Sequence, residues 1–286
     1  MTLGQSDVHL HLPSTEFVGQ LAKAAGELTL QFFRSRQLRI DEKSGDLGLV
    51  TEADVSSEAL LRGEIAKNFP QHVFLGEETG WSQDAAEGKV VWIVDPIDGT
   101  TNFSKGNIYY CISVACGVIA GGRFRPERVA IFHPGTGDLY CAGRGQGATV
   151  NGIKMNVAAG SDPRRWSLAT GFSSSKGEAL RGVVECIERM QNRILGMRIN
   201  GAAALDLALT ARGVFNGFFE SRLSPWDMAA GALLVEEAGG MVLNYEGQPF
   251  DVLQDKNIVA GPVHVVRDML DMISAVRSDL KSTAWP

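Results

Sequence analysis

Six carboxylates in four separated stretches are the residues best able to do chemistry: Asp54 in "GLVTEAD", Glu77 and Glu78 in "FLGEETG", Asp95 and Asp98 in "WIVDPIDGTTNF", and Asp227 in "SPWDMAAG". Each has a local explanation. Asp, Pro and Gly are ordinary turn residues, a Glu-Glu pair suits an acidic loop, an aspartate in a helix's first turn is favoured by the dipole, and Asp54 reads as a helix N-cap. The combination is harder to explain one residue at a time. Every stretch brings its acid to the end of an apolar strand or the start of a helix, where sites in sheet-containing folds are built. Asp95 closes the run "VVWIV", no Lys or Arg follows before Lys105, and an unpaired buried charge is costly. Hard oxygen donors without His or Cys suit magnesium, manganese or calcium. Two such ions about 4 Å apart can clamp the attacking and leaving oxygens of a displacement at phosphorus. Thr100 and Thr101 in "DGTT" add backbone N–H groups and a hydroxyl beside the second aspartate. A helix starting there would offer an anion site, so one stretch is expected to serve cation, phosphate and water together.

The elements that must position these residues fall into two textures. Phe17, Leu21, Ala25, Leu28 and Phe32 recur at three- and four-residue steps and predict a helix over 14–35. A second helix runs from Asp54 to about Asn68, with Leu61 and Ile65 inward. "VFLGEE", "KVVWIVD", "YYCISVACGVI", "RVAIFHP" and "GDLYCAG" read as strands, and "GRGQGATVNG" supplies tight turns. The first half is therefore two helices followed by a mostly antiparallel sheet. After about residue 155 strands alternate with helices: "WSLATGF", a helix over 178–192, "ILGMRI", an Ala-rich helix over 201–212, "NGFFE", the helix of "WDMAAGALLVEEAGG", then "GMVLN", "NIVAG" and a final helix over 263–280. A division into residues 1–155, with most of the acids, and 156–286, with the last one, is expected.

Bulk properties narrow the function. The 286 residues are 44% hydrophobic and 21% charged, with a net charge of −6 and no basic block. That argues against nucleic acid as the main partner, since phosphate backbones need clustered positive charge. A small phosphorylated substrate stays open, because bound cations can supply the charge. Cys111, Cys116, Cys141 and Cys186 form no CxxC and read as buried free thiols in a reducing compartment. No run reaches the roughly 18 apolar residues of a spanning helix, and the N-terminus lacks the pattern of a secretory signal. A cytoplasmic protein without a membrane partner is expected.

"GEE", "WIVDPIDGTTNF" and "WDMAAGALLVEEAGG", in this order and spacing, resemble the signature motifs of the inositol monophosphatase family of magnesium-dependent, lithium-sensitive phosphatases. The resemblance runs from about residue 15 to 275. It implies an α+β fold, a layered αβαβα sandwich, usually as a homodimer. It implies two to three Mg2+ per active site. Glu77, Asp95 and the Ile97 carbonyl would hold the first; Asp95, Asp98 and Asp227 the second; a weaker third would also use Glu77. Thr100, bonded to Asp54, would orient the attacking water, and Glu78 would support the glutamate beside it. Gly99 and Thr100 would present N–H groups to the phosphate, and Lys43 matches a family lysine near the active site. Gly201, Ala203 and Glu220 match positions that contact an inositol ring, and Glu220 suits a polyol's hydroxyls. Ala202 departs from the Ser or Thr frequent in inositol-type members, which leaves the ester open among myo-inositol phosphate, fructose 1,6-bisphosphate, histidinol phosphate and 3'-phosphoadenosine 5'-phosphate. A non-catalytic regulatory binding role is the alternative of a different class.

Overall fold

The chain opens with two packed helices, α1 (Thr15–Ser35) and, after the antiparallel pair β1 (Ile40–Glu42) and β2 (Leu49–Thr51), α2 (Glu52–Asn68). The computed structural model describes residues 11–35, 40–42, 49–172 and 178–280. In α1 the buried residues Val18, Leu21, Ala22, Ala25 and Thr29 keep the predicted helical spacing. Asp54 is not the cap of α2. Thr51 holds that position, and Asp54, three residues on, accepts from the Thr51 backbone N–H at 2.8 Å to complete a capping box.

An eight-stranded sheet follows, made of β3 (Val73–Gly76), β4 (Gly80–Trp81), β5 (Val90–Asp98), β6 (Cys111–Ala120), β7 (Arg123–His133), β8 (Asp138–Gly143), β9 (Gly147–Val150) and β10 (Ile153–Lys154). A one-turn helix, α3 (Thr100–Ser104), leaves the end of β5. The strand order is β10-β9-β8-β7-β6-β5-β3-β4. Only β3 and β5 pair in parallel; every other neighbour is antiparallel, as the sequence leads one to expect. The second sheet contains β11 (Ser167–Thr170), β12 (Gly196–Ile199), β13 (Gly217–Ser221), β14 (Met241–Leu243) and β15 (Asn257–Gly261), in the order β12-β11-β13-β15-β14. Its first three strands are parallel, because helices α4 (Glu178–Gln191) and α5 (Ala203–Ala211) return the chain between them. Helices α6 (Pro225–Glu237) and α7 (Val263–Leu280) complete the chain.

Packing sorts these elements into five layers. Helices α1 and α2 cover one face of the large sheet, and α5 and α6 pack between the two sheets. Helices α4 and α7 cover the far face of the small one. Three apolar cores fill the gaps. One lies under α1 and α2 around Trp92 and Phe103, one around α5 and α6, and one beneath α7 around Trp166 and Met269. Cys111 and Cys116, five apart on β6, enter different cores, as alternation along a strand requires. All four cysteines are free thiols. The architecture is the αβαβα sandwich that the resemblance implies. No described helix is long and apolar enough to cross a membrane.

Candidate functional site

The end of β5 explains how two aspartates three residues apart come to serve one place. In a regular strand their side chains point to opposite faces. Here Asp95 lies opposite Ser113 and Asp98 opposite Cys111, so β5 spends one residue more than β6 over this stretch. That bulge turns both carboxylates toward the middle layer. Helix α5 then meets Asp98. Ala202 occupies the N-cap position without a side chain able to cap, and the N–H groups of Ala204 (2.8 Å) and Leu205 (3.3 Å) donate to Asp98 Oδ2 instead. Asp98 thus caps a helix distant in sequence. Asp227 stands in the first turn of α6, where its carboxylate accepts from the Ser224 N–H at 2.7 Å.

Asp95, Asp98 and Asp227 each offer a carboxylate oxygen within 4.8 Å of the others. Burial raises the Asp95 carboxyl well above the ordinary aspartate range, and the charges of Glu77, Asp98 and Asp227 raise it further. Asp98 is pushed up to about 6, chiefly by burial, against the lowering effect of its bonds from Leu205 and Ala204. The influences that act most on Asp95 are thus burial and like charge. An all-oxygen donor set whose members repel one another fits a hard divalent cation, which would relieve both penalties.

Beside the cluster, the Thr100 hydroxyl lies 3.1 Å from Asp54 Oδ1 and 3.1 Å from the Ile97 carbonyl oxygen. Asp54 is fully buried and also accepts from the Thr51 hydroxyl at 2.6 Å. Its carboxyl is raised by burial, against the lowering effect of the Thr51 bonds. Gly99, with φ +94°, caps α3 in a left-handed conformation that places Thr100 at the first helical position. Glu77 and Glu78 follow β3, and Glu77 interacts with Asp95.

The second half of the chain brings Glu220 to the same place. It is buried on β13 rather than exposed at a strand end, and its carboxylate lies so close over Gly171 that a β-carbon there has no room. Burial, then Asp227, Asp206 and Asp98, raise its carboxyl well above the glutamate range. Gly201 and Ala203 flank the start of α5. The Asn102 amide donates to the carbonyls of Tyr109 (2.8 Å), Asn200 (2.8 Å) and Gly201 (3.3 Å), so it ties α3 and the segment after it to the loop before α5. Lys43 lies outside the described residues.

Several residues here escape sequence reasoning. Asp206 is buried, accepts from the Tyr109 hydroxyl and from Asn200 Nδ2 (2.8 Å), and is pushed up to about 7 by burial. Ser57 and Glu58 on α2 are also buried and bonded to the bulged end of β5 and to the turn after β3. The available signal for Glu58 is its helical offset of four from Asp54.

Known proteins share this arrangement widely. The Nus factor SuhB of Escherichia coli (strain K12) is 35% identical over 258 residues, covering 90% of this chain and 94% of that protein. Among solved structures, the extragenic suppressor protein suhB from Bartonella henselae superposes with a TM-score of 0.83 at 32% identity, covering 91% of this chain and 98% of that one. The Thermotoga maritima IMPase reaches a TM-score of 0.82 at 28% identity, covering 93% and 98%. The sequence description of the inositol monophosphatase family matches residues 12–278, through all five layers and every carboxylate named above. The chain belongs to the inositol monophosphatase family.

Proposed function

We propose that the protein is a magnesium-dependent phosphate monoester hydrolase, acting on myo-inositol phosphate to give inositol and phosphate. The observation that carries this reading is the meeting of Asp95, Asp98 and Asp227 beside a threonine hydroxyl bonded to a buried aspartate. Asp95, Asp98 and Asp227 would hold one Mg2+, and Glu77, Asp95 and the Ile97 carbonyl would hold another; a third, weaker ion would share Glu77. Magnesium, when bound, supplies positive charge to the phosphate and to the developing alkoxide and makes water more acidic; Mn2+ or Ca2+ can occupy the same oxygen sites.

The chain's own residues do the rest. The Thr100 hydroxyl donates to Asp54, which leaves its lone pairs facing outward to accept a hydrogen bond from the attacking water. Asp54, itself held by Thr51, keeps the threonine in that orientation and stabilises partial positive charge on the Thr100 oxygen as the water's proton shifts toward it; the water oxygen bonds to phosphorus as the ester P–O bond breaks, and the proton ends on the departing alkoxide. The N–H groups of Gly99 and Thr100 steady the phosphate. Glu220 accepts hydrogen bonds from polyol hydroxyls, while Gly201 and Ala203 leave room for the ring, and Lys43 attracts the substrate's negative charge. The enzyme works as a homodimer, as the family resemblance suggests, and in the cytoplasm, as the N-terminal sequence leads one to expect.

Phosphate release with Mg2+ tests the reading. The panel is myo-inositol 1-phosphate, fructose 1,6-bisphosphate, histidinol phosphate and 3'-phosphoadenosine 5'-phosphate, with Asp95→Asn as the blank. Preference for the inositol ester supports Glu220 as the polyol selector. Preference for another ester keeps the centre and overturns the substrate. No release from any of them overturns the hydrolase. The designation of the Escherichia coli relative as a Nus factor favours a second reading, a regulatory binding partner, alone or beside the chemistry. Proteins retained equally by the parent and by inactive Asp95→Asn would support it.

A further inference from the structure

We propose that the N-terminal face of α2 is a splint that sets the spacing between the bulged end of β5 and the turn after β3, with Glu58 as the positioning residue for the turn that carries Glu77. This inference rests on the cation reading above and extends it to a residue that touches no cation. Asp54, Ser57 and Glu58 stand at i, i+3 and i+4, so they share one helical face. All three are buried, Glu58 to 1% exposure. Each reaches a different part of the centre. Asp54 accepts from the Thr100 hydroxyl, and the Ser57 hydroxyl donates to the Pro96 carbonyl at 3.1 Å. Glu58 accepts from the backbone N–H groups of Glu78 at 2.8 Å and Thr79 at 2.9 Å.

Glu58 thereby clamps the turn after β3 with both oxygens, one to each N–H. A carboxylate used in this way orients Glu77 rather than coordinating. Gly76 makes the clamp possible, since a β-carbon there would lie 2.5 Å from the Glu58 carboxylate. Pro96 lies in the bulged end of β5, Thr100 opens α3 and Glu78 stands in the turn after β3, so one helix bonded to all three fixes how far Glu77 stands from Asp95. Partners of this kind typically govern metal affinity by 10- to 100-fold.

The test is Mg2+ binding by titration calorimetry on the full-length protein, with phosphate release against Mg2+ concentration measured in parallel. Glu58→Gln keeps size but offers an NH2 where an acceptor is needed, so one N–H of the turn loses its partner. The Mg2+ Kd should rise about 10-fold or more, while kcat at saturating Mg2+ stays within about 3-fold of the parent. Ile65→Val, two turns along the same helix, should lower stability without moving the Mg2+ Kd. Gly76→Ala should reproduce the weakened binding by pushing the Glu58 carboxylate aside. Parent and Glu58→Gln with equal Kd would overturn the splint and leave the cation reading standing. A parent that binds no Mg2+ would overturn both. Loss of folding in both Glu58→Gln and Gly76→Ala would assign Glu58 to the fold and overturn the positioning role.

Discussion

Replacing Asp98 by asparagine should make the cation-stripped protein more stable while destroying its activity. The amide oxygen of the new side chain can still accept from the Ala204 and Leu205 N–H groups, so the cap of α5 survives. What disappears is a buried negative charge. The Asp98 carboxyl sits at about 6 in the folded chain against an ordinary 3.8. The folded state therefore binds a proton more tightly than the unfolded state, and the stability this lends at low pH is lost as pH rises from about 4 through about 6. At pH 8 both states are ionised and the folded one carries a penalty of about 3 kcal/mol. At pH 4 the penalty is only about 0.5 kcal/mol. For a chain of this size about 2 °C accompanies each kcal/mol, so Asp98→Asn should melt about 6 °C above the parent in chelator at pH 8 and about 1 °C above it at pH 4. Saturating Mg2+, at about 100 times its Kd, should add about 2.7 kcal/mol to the parent and little to the variant, and so nearly close the gap. Differential scanning calorimetry in chelator and in Mg2+ at the two pH values reads all of this. A variant that melts at or below the parent in chelator at pH 8 would refute the account of Asp98 as a charge penalised chiefly by burial, as would a gain that does not shrink at pH 4.

Thr100→Ala should lower kcat by about 100-fold or more with little change in KM, since it removes the hydroxyl proposed to orient the attacking water; steady-state kinetics with equal kcat would remove that role. Asn102→Ala breaks the tie between α3 and the loop before α5, and should cost about 1–3 kcal/mol in melting and raise KM. Tyr109→Phe removes a donor to Asp206, whose carboxyl is pushed up to about 7. The charged form suffers, so the melting loss should be larger at pH 8 than at pH 5. Lithium in the millimolar range should inhibit phosphate release by competing with Mg2+, and full activity would put the transfer from the family in doubt.

The carboxylate centre is legible in the sequence because its parts sit where chain patterns change. Asp95 and Asp98 end an apolar strand, Asp227 opens an apolar helix, and Asp54 stands in the first turn of the mostly polar α2. Their convergence needs only the assumption that strand and helix ends meet. The contacts that aim these groups are harder to read. Glu58 on a helix otherwise marked by Leu61 and Ile65 looks like a solvated charge, since nothing local distinguishes a glutamate that clamps a distant turn. The same holds for Asn102 and Asp206, whose partners lie 98 and 97 residues away in the chain. The bulge in β5 is invisible for another reason: it is a mismatch between two strands and belongs to neither alone. Sequence reasoning puts Asp54 at the right end of the right helix but three residues from the cap, because Thr51 and Asp54 share that work.

Helices α5 and α6 face both sheets at once, and this has a consequence for how the chain can be cut. The large sheet is complete by Lys154, yet the face it turns inward is covered by helices from residues 203–237. A fragment ending at 155 would bare the apolar row of Val91, Ile93, Ala115 and Ile131 to water, and its complement would carry an Ala- and Leu-rich layer with nothing beneath it. Neither piece should stay monomeric alone, but the two expressed together should find each other and restore both the middle layer and the meeting of Asp98 with Asp227. The division expected near residue 155 should then act as a seam for reassembly, and a pair of fragments split there would report, by regained activity, that they have met.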